Sequence, residues 1–109
     1  MAKRSRINPE KLKSTLTSIR ARFETGTVSK MSEIGDMYIT GLIPALGIGT
    51  NGYVTKFNAP ENFTVNDLMK LADITNTDIE LIWKVVKKQA QKNHVKRDIN
   101  HLLEKDDKG

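Results

Sequence analysis

Leu42-Ile43-Pro44-Ala45-Leu46-Gly47-Ile48-Gly49-Thr50-Asn51-Gly52-Tyr53-Val54-Thr55-Lys56-Phe57-Asn58 decides the fold. Two short helices joined by a tight turn account for every apolar residue in it. Pro44 has no backbone donor and is tolerated only near a helix start, which sets the onset of the first helix at about residues 41–43. Leu42, Ile43 and Leu46 then face inward. Gly47 closes that helix in the left-handed conformation, at little cost because it lacks a Cβ. Ile48 packs into the turn, and Gly49 or Thr50 caps the next helix. In that second helix Tyr53 and Phe57 stand four apart and face the core, with Val54 beside them. Asn51 and Thr55, and Gly52 and Lys56, form the outward face.

Upstream, Asn8-Pro9-Glu10 is a helix start: Asn caps, Pro suits the first helical position, and Glu faces the positive helix end. Leu12, Leu16, Ile19 and Phe23 follow at spacings of four, three and four, one apolar stripe. Gly26 is a stop. Lys11, Lys13, Arg20 and Arg22 lie on the opposite face. Ser29 or Ser32 caps a second helix with Met31, Ile34, Met37 and Tyr38 on its inner side, and Thr40-Gly41 then breaks the chain. Downstream, Asn58–Asn62 is a loop. Thr64 with Asp67 three residues on forms a capping box, Asp standing in for Glu, and Leu68, Leu71 and Ala72 make that helix's inner face. Asn76 or Thr77 caps the last long helix, with Ile79, Ile82, Trp83, Val86 and Ala90 running down its inner side. Trp83 reads there as a core anchor. The pattern turns polar through Gln91–His94 and resumes at Val95, Ile99, Leu102 and Leu103, a stripe that reads as a partner surface.

No strand-like alternation appears, so the 109 residues read as all-α: a compact bundle of about five to six short helices with a basic N-terminal arm and helix and a long C-terminal helix. The organisation divides at residues 1–30 (arm and amphipathic helix), 31–86 (core domain) and 87–109 (basic extension and tail). No apolar run approaches the roughly 18–20 residues a bilayer span needs. With no cysteine there is neither a disulfide nor a thiolate metal site. His94 and His101, seven apart, make a poor metal site and read as surface residues. Nothing points to a membrane, a small-molecule cofactor or a metal, and a reducing cytoplasm is the expected address.

Short helices separated by a Leu-Gly-Ile turn are the grammar of a helix-turn-helix. From Ser32 to about Val86 the chain resembles the lambda-repressor-like helix-turn-helix family, the Cro and phage-repressor class. The likeness is carried by Leu42, Leu46-Gly47-Ile48, Tyr53 and Phe57, then Phe63-Thr64-Val65 leading into Leu68–Ala72, and finally Thr77-Asp78-Ile79-Glu80-Leu81-Ile82. It departs from the family at Pro44, inside the first helix of the motif, and at Gly52, on the face where a side chain normally reads a base. The resemblance implies a compact helical domain, operator binding on double-stranded DNA, usually as a homodimer, and transcriptional control in a bacterial or phage-like genome. Thr50, Asn51, Thr55 and Lys56 are then the base-reading candidates: Asn51 for an adenine edge, Thr50 or Thr55 for a phosphate or a thymine methyl, Lys56 for guanine or a phosphate.

Charge complicates that expectation. The formal net charge is +5, which suits a polyanion partner, but it sits in the flanks. Residues 1–30 hold eight Lys/Arg against two Glu, residues 31–80 two Lys against seven acids, and residues 81–109 eight Lys/Arg against four acids. Phosphate contacts therefore fall to Lys3, Arg4 and Arg6 of the arm, to Lys11, Lys13, Arg20 and Arg22, and to Lys87 and Lys88 of the last helix. The acidic centre favours the alternative, a protein-interaction module on the same fold (antitoxin-like or anti-repressor-like) whose basic tails bind an acidic protein. Enzymatic readings find no footing: no Ser/His/Asp or Cys/His set can be assembled. Gly47, Gly49 and Gly52 follow no strand and precede no Lys-Ser/Thr, unlike a phosphate loop.

Overall fold

The computed structural model describes residues 7–104, all of them helix or connection. Helix α1 spans Pro9–Glu24, α2 Met31–Gly35, α3 Ile39–Leu46 and α4 Thr50–Asn58. A single 3-10 turn, Pro60–Asn62, leads to α5, Val65–Thr75. Helix α6 is Ile79–Asn93, and α7 is the one-turn Asn100–Leu103. The all-α bundle read from the sequence is the observed architecture. Lys3, Arg4 and Arg6 lie outside the described residues.

Local chemistry explains most of the boundaries. Asn8 caps α1, its side chain accepting from the Lys11 N–H at 3.1 Å, with Pro9 at the first helical position. Gly47 closes α3 at φ 68°, the left-handed conformation that a Cβ disfavours. Thr64 and Asp67 form a reciprocal capping box at the start of α5. Neither Ser29 nor Ser32 caps α2. Lys30 holds that position without a side-chain bond, and Ser29 instead donates its hydroxyl to Glu33 at 2.9 Å. The Met31 N–H at the start of α2 is satisfied from a distance, donating to Gln89 Oε1 of α6 at 2.6 Å. Asp78, rather than Asn76 or Thr77, caps α6. Asn76 closes α5 in the left-handed conformation, and Thr77 is buried between the two helices.

Three further expectations are corrected. Helix α3 begins at Ile39, so Thr40-Gly41 does not break the chain and Pro44 sits inside the helix, on an exposed face. The C-terminal helix is interrupted: α6 ends at Asn93, residues 94–99 run outside regular helix, and every residue from 91 to 104 is exposed. Trp83 is 44% exposed and not a core anchor. Ile82 and Val86 define the buried line of α6, with Val85 and Gln89 at its edge. A helix turns about 100° per residue, which carries Trp83 round to the flank away from Val85.

One apolar core joins the helices: Ile19 and Phe23 of α1, Met31 and Ile34 of α2, Leu42 and Leu46 of α3, Tyr53 and Phe57 of α4, Leu68 and Leu71 of α5, and Ile82 and Val86 of α6. Helices α2 and α4 approach closely within it. A Cβ at Gly35 would stand 2.7 Å from the Phe57 ring, closer than packed atoms come. Only glycine lets the two helices meet there.

Candidate nucleic-acid interface

Helix α4 is held from beneath. Tyr53 and Phe57 are buried and pack with ring centroids 4.5 Å apart and planes tilted by 40°, and Phe63 meets Phe57 edge-on at 5.0 Å. The Tyr53 hydroxyl donates to the Gly35 carbonyl at 2.7 Å, tying α4 to the end of α2. Burial pushes the Tyr53 phenol well above its ordinary pKa, and Asp36 adds to the effect. The group therefore stays protonated and donating at any physiological pH.

The opposite side of α4 faces water. Thr50, Asn51, Val54, Thr55 and Asn58 are exposed, so three of the four base-reading candidates share one accessible face. Lys56 does not join them. Its ammonium donates to Asp67 Oδ2 at 2.6 Å, and its side chain is 22% exposed against 8% for Asp67. The reason is geometric. Val54 and Lys56 lie about equally far round the helix, on opposite sides of the Tyr53–Phe57 line. Asp67, in the first turn of α5, takes up the Lys56 side, and Val54 is left in solvent, 48% exposed. Gly52 is also turned inward from the outer face, where a Cβ would lie 3.2 Å from Ile48 Cγ2.

Asp67 serves two helices at once. It accepts from Lys56 of α4 and from the Thr64 N–H at 3.0 Å, while its own N–H donates to Thr64 Oγ1 at 3.0 Å. Burial works to raise its carboxyl pKa, but the bonds from Lys56 and Thr64 outweigh it and hold the group below the ordinary carboxylate range. The outer face of α4 is thus uncharged: two hydroxyls, two amides and an isopropyl group. Just beyond its C-terminal end Glu61 accepts from Asn93 Nδ2 at 3.0 Å, a bond that lowers the Glu61 carboxyl pKa.

The cations lie on other helices. Lys13, Arg22, Lys87 and Lys88 are exposed. Arg20 is exposed as well, and pairs with Glu24 one turn on at 2.9 Å. Lys11 places its ammonium 4.6 Å from the centre of the Tyr38 ring. Lys84 and Lys92 extend the basic face of α6, with Trp83 among them. Sequence reasoning missed Val54 and Asn58 as members of the outer face of α4. The signal for Asn58 was present, since it follows Asn51 and Thr55 on the side opposite Tyr53. Among the described residues no cluster of His, Asp and Glu could hold a metal ion, and no helix is long and apolar enough to cross a membrane.

Compared with protein-family models, with curated proteins and with solved structures, the chain shows no match.

Proposed function

We propose that this chain is a sequence-specific double-stranded DNA-binding regulator of the lambda-repressor-like helix-turn-helix type, with α4 entering the major groove. One observation carries the reading: α4 is braced by Tyr53 and Phe57 and presents Thr50, Asn51, Val54 and Thr55 to solvent side by side. A helix rigid on one side and rich in amides and hydroxyls on the other is what direct readout requires. Asn51 offers a donor and an acceptor to an adenine edge. Val54 supplies an apolar contact for a thymine methyl, and Thr50 and Thr55 serve phosphate or methyl contacts. The basic arm and the lysines of α6 supply the phosphate grip that α4 lacks.

The uncharged face of α4 and the internal use of Lys56 favour the second reading, a protein-interaction module. Selection from random double-stranded DNA at two salt concentrations separates the two. A DNA reader enriches a defined site, and Asn51→Ala relaxes one position of that site. A partner-only module enriches nothing, and its DNA binding vanishes at physiological salt. No enriched sequence at either salt concentration would overturn the proposal.

A further inference from the structure

Trp83 is the sole tryptophan of the chain, and the fold leaves nearly half of it in water. An indole is a large apolar surface, and its exposure gives up burial that the core beside it could supply. Ile82 and Val86 turn into that core, while Trp83 faces out. It lines an open depression of about 540 Å³ on α6 together with Lys84, Lys87, Lys88 and Gln91. That is room for a planar group of small-molecule size.

Helical spacing orders these side chains in two rows. Lys87 and Gln91 follow Trp83 one and two turns on. Lys84, Lys88 and Lys92 run beside them at a pitch of about 6 Å, and all are exposed. Lys84 and Lys88 also line the adjoining groove toward the connection between α1 and α2, where Lys92 joins them. The acids beside these rows are accounted for. Glu80 lines the depression from the first turn of α6, where unpaired helix N–H groups favour a carboxylate. Glu24 lines the groove and is paired with Arg20 at 2.9 Å. Helix α6 as a whole carries four lysines against Glu80 alone, so its outer face is cationic.

A row of cations at even pitch suits a polymer with an anion in every repeat, and an exposed ring beside it suits a planar base. A run of carboxylates would meet the lysines but leave the indole without a planar partner. A duplex would do the same, because its bases stack on one another and offer no free face. We propose that this face of α6 binds single-stranded DNA: a base stacks on Trp83, Gln91 bonds a base edge, and the lysines take successive phosphates. The site does not depend on α4; only the choice of DNA over RNA rests on the reading of α4 as a DNA reader.

The test is binding of the full chain to a dye-labelled oligothymidylate of about ten nucleotides, a length within the footprint of such sites, read by anisotropy and by Trp83 emission. Binding is expected to quench that emission. Trp83→Ala is expected to weaken binding by about 5- to 150-fold, the loss of one stacked base, with unchanged helix content by circular dichroism. Trp83→Phe recovers most of the affinity. Lys84→Ala/Lys88→Ala lowers the salt slope by about 1.4, the share of two single-strand phosphates. Asn51→Ala leaves oligothymidylate binding unchanged, so a failure of the α4 reading on duplex DNA and a failure here are separate results. Four results overturn the proposal: no binding at low salt, equal binding by the wild type and Trp83→Ala, an oligouridylate bound more tightly than the oligothymidylate, or a polyglutamate of equal charge that displaces the labelled strand as well as unlabelled oligothymidylate does.

Discussion

Replacing Lys56 with Met tests whether this lysine belongs to the fold or to a nucleic-acid surface. An exposed ion pair contributes about 0–1 kcal/mol, whereas removing one partner of a fully buried pair costs about 3–5 kcal/mol. The Lys56–Asp67 pair lies between these limits, with the lysine partly wet and the carboxylate nearly dry. Lys56→Met leaves Asp67 with only the Thr64 N–H to balance its charge, and a loss of about 2–3 kcal/mol follows. For a domain of this size that lowers Tm by about 10–20 °C. Acidification provides an independent check. Asp67 has a folded pKa below its ordinary value of 3.8, so its contribution is fully present above that value and is lost as pH falls through the lower folded one. The wild type therefore sheds stability in that acid range, and Asp67→Asn lacks this component. Thermal unfolding of the two single variants and the double variant gives the coupling energy directly. An unchanged Tm in Lys56→Met, joined to a fall of about 0.9 in the salt slope for DNA, would refute the internal placement of this lysine.

Other outcomes follow from the same geometry. Gly35→Ala forces a methyl against the Phe57 ring and is expected to cost about 1–3 kcal/mol in denaturant unfolding, with the wild-type stability as the contrary result. Thr64→Ala removes one arm of the capping box and costs about 1 kcal/mol, read in the same assay. Ile82→Ala, in the buried line of α6, costs about 2–5 kcal/mol; Trp83→Ala costs well under half of that, and a larger loss for Trp83 would mean that it is buried. On the proposed function, Asn51→Ala reduces discrimination at one base pair by about 1–3 kcal/mol while leaving binding to unrelated DNA unchanged.

What the sequence made legible was whatever local chemistry settles. Asn8-Pro9, Gly47 and the Thr64–Asp67 box each fix a boundary through bonds within a few residues, and each stands where the sequence puts it. The apolar stripes of α1, α4 and α5 were legible for the same reason, since periodicity alone defines their buried line. The flanks of those lines were not. Val54 and Lys56 sit symmetrically about Tyr53 and Phe57, and only the Asp67 carboxylate in the first turn of α5 draws Lys56 inward while Val54 stays in solvent. Trp83 raises the same difficulty on α6, where Val85 and Gln89 draw the core to one side. Gln89 reaches the start of α2 across 58 positions, a contact no local pattern contains. The end of α6 at Asn93 was half legible: the polar run Gln91–His94 marked a weakening of the stripe, but not that the helix would stop there.

The acidic centre, which motivates the alternative function, has a structural origin at four of its seven residues. Asp67 closes the capping box of α5 and pairs with Lys56, and Asp78 caps α6 by accepting from the Glu80 N–H. Glu33 takes the hydroxyl and N–H of Ser29 ahead of α2, and Glu61 takes the amide of Asn93. Helix starts favour negative charge because their unpaired N–H groups point outward. A bundle of short helices needs many such starts and so gathers acids whatever it binds. The excess of acids over this segment therefore says less about the partner than its total suggests. The informative quantity is the charge on the outer face of α4, which is zero. A face that carries hydroxyls and amides but no ammonium can distinguish partners without holding them strongly. On the proposed function, discrimination resides in α4 while affinity and its salt dependence reside in the arm and α6.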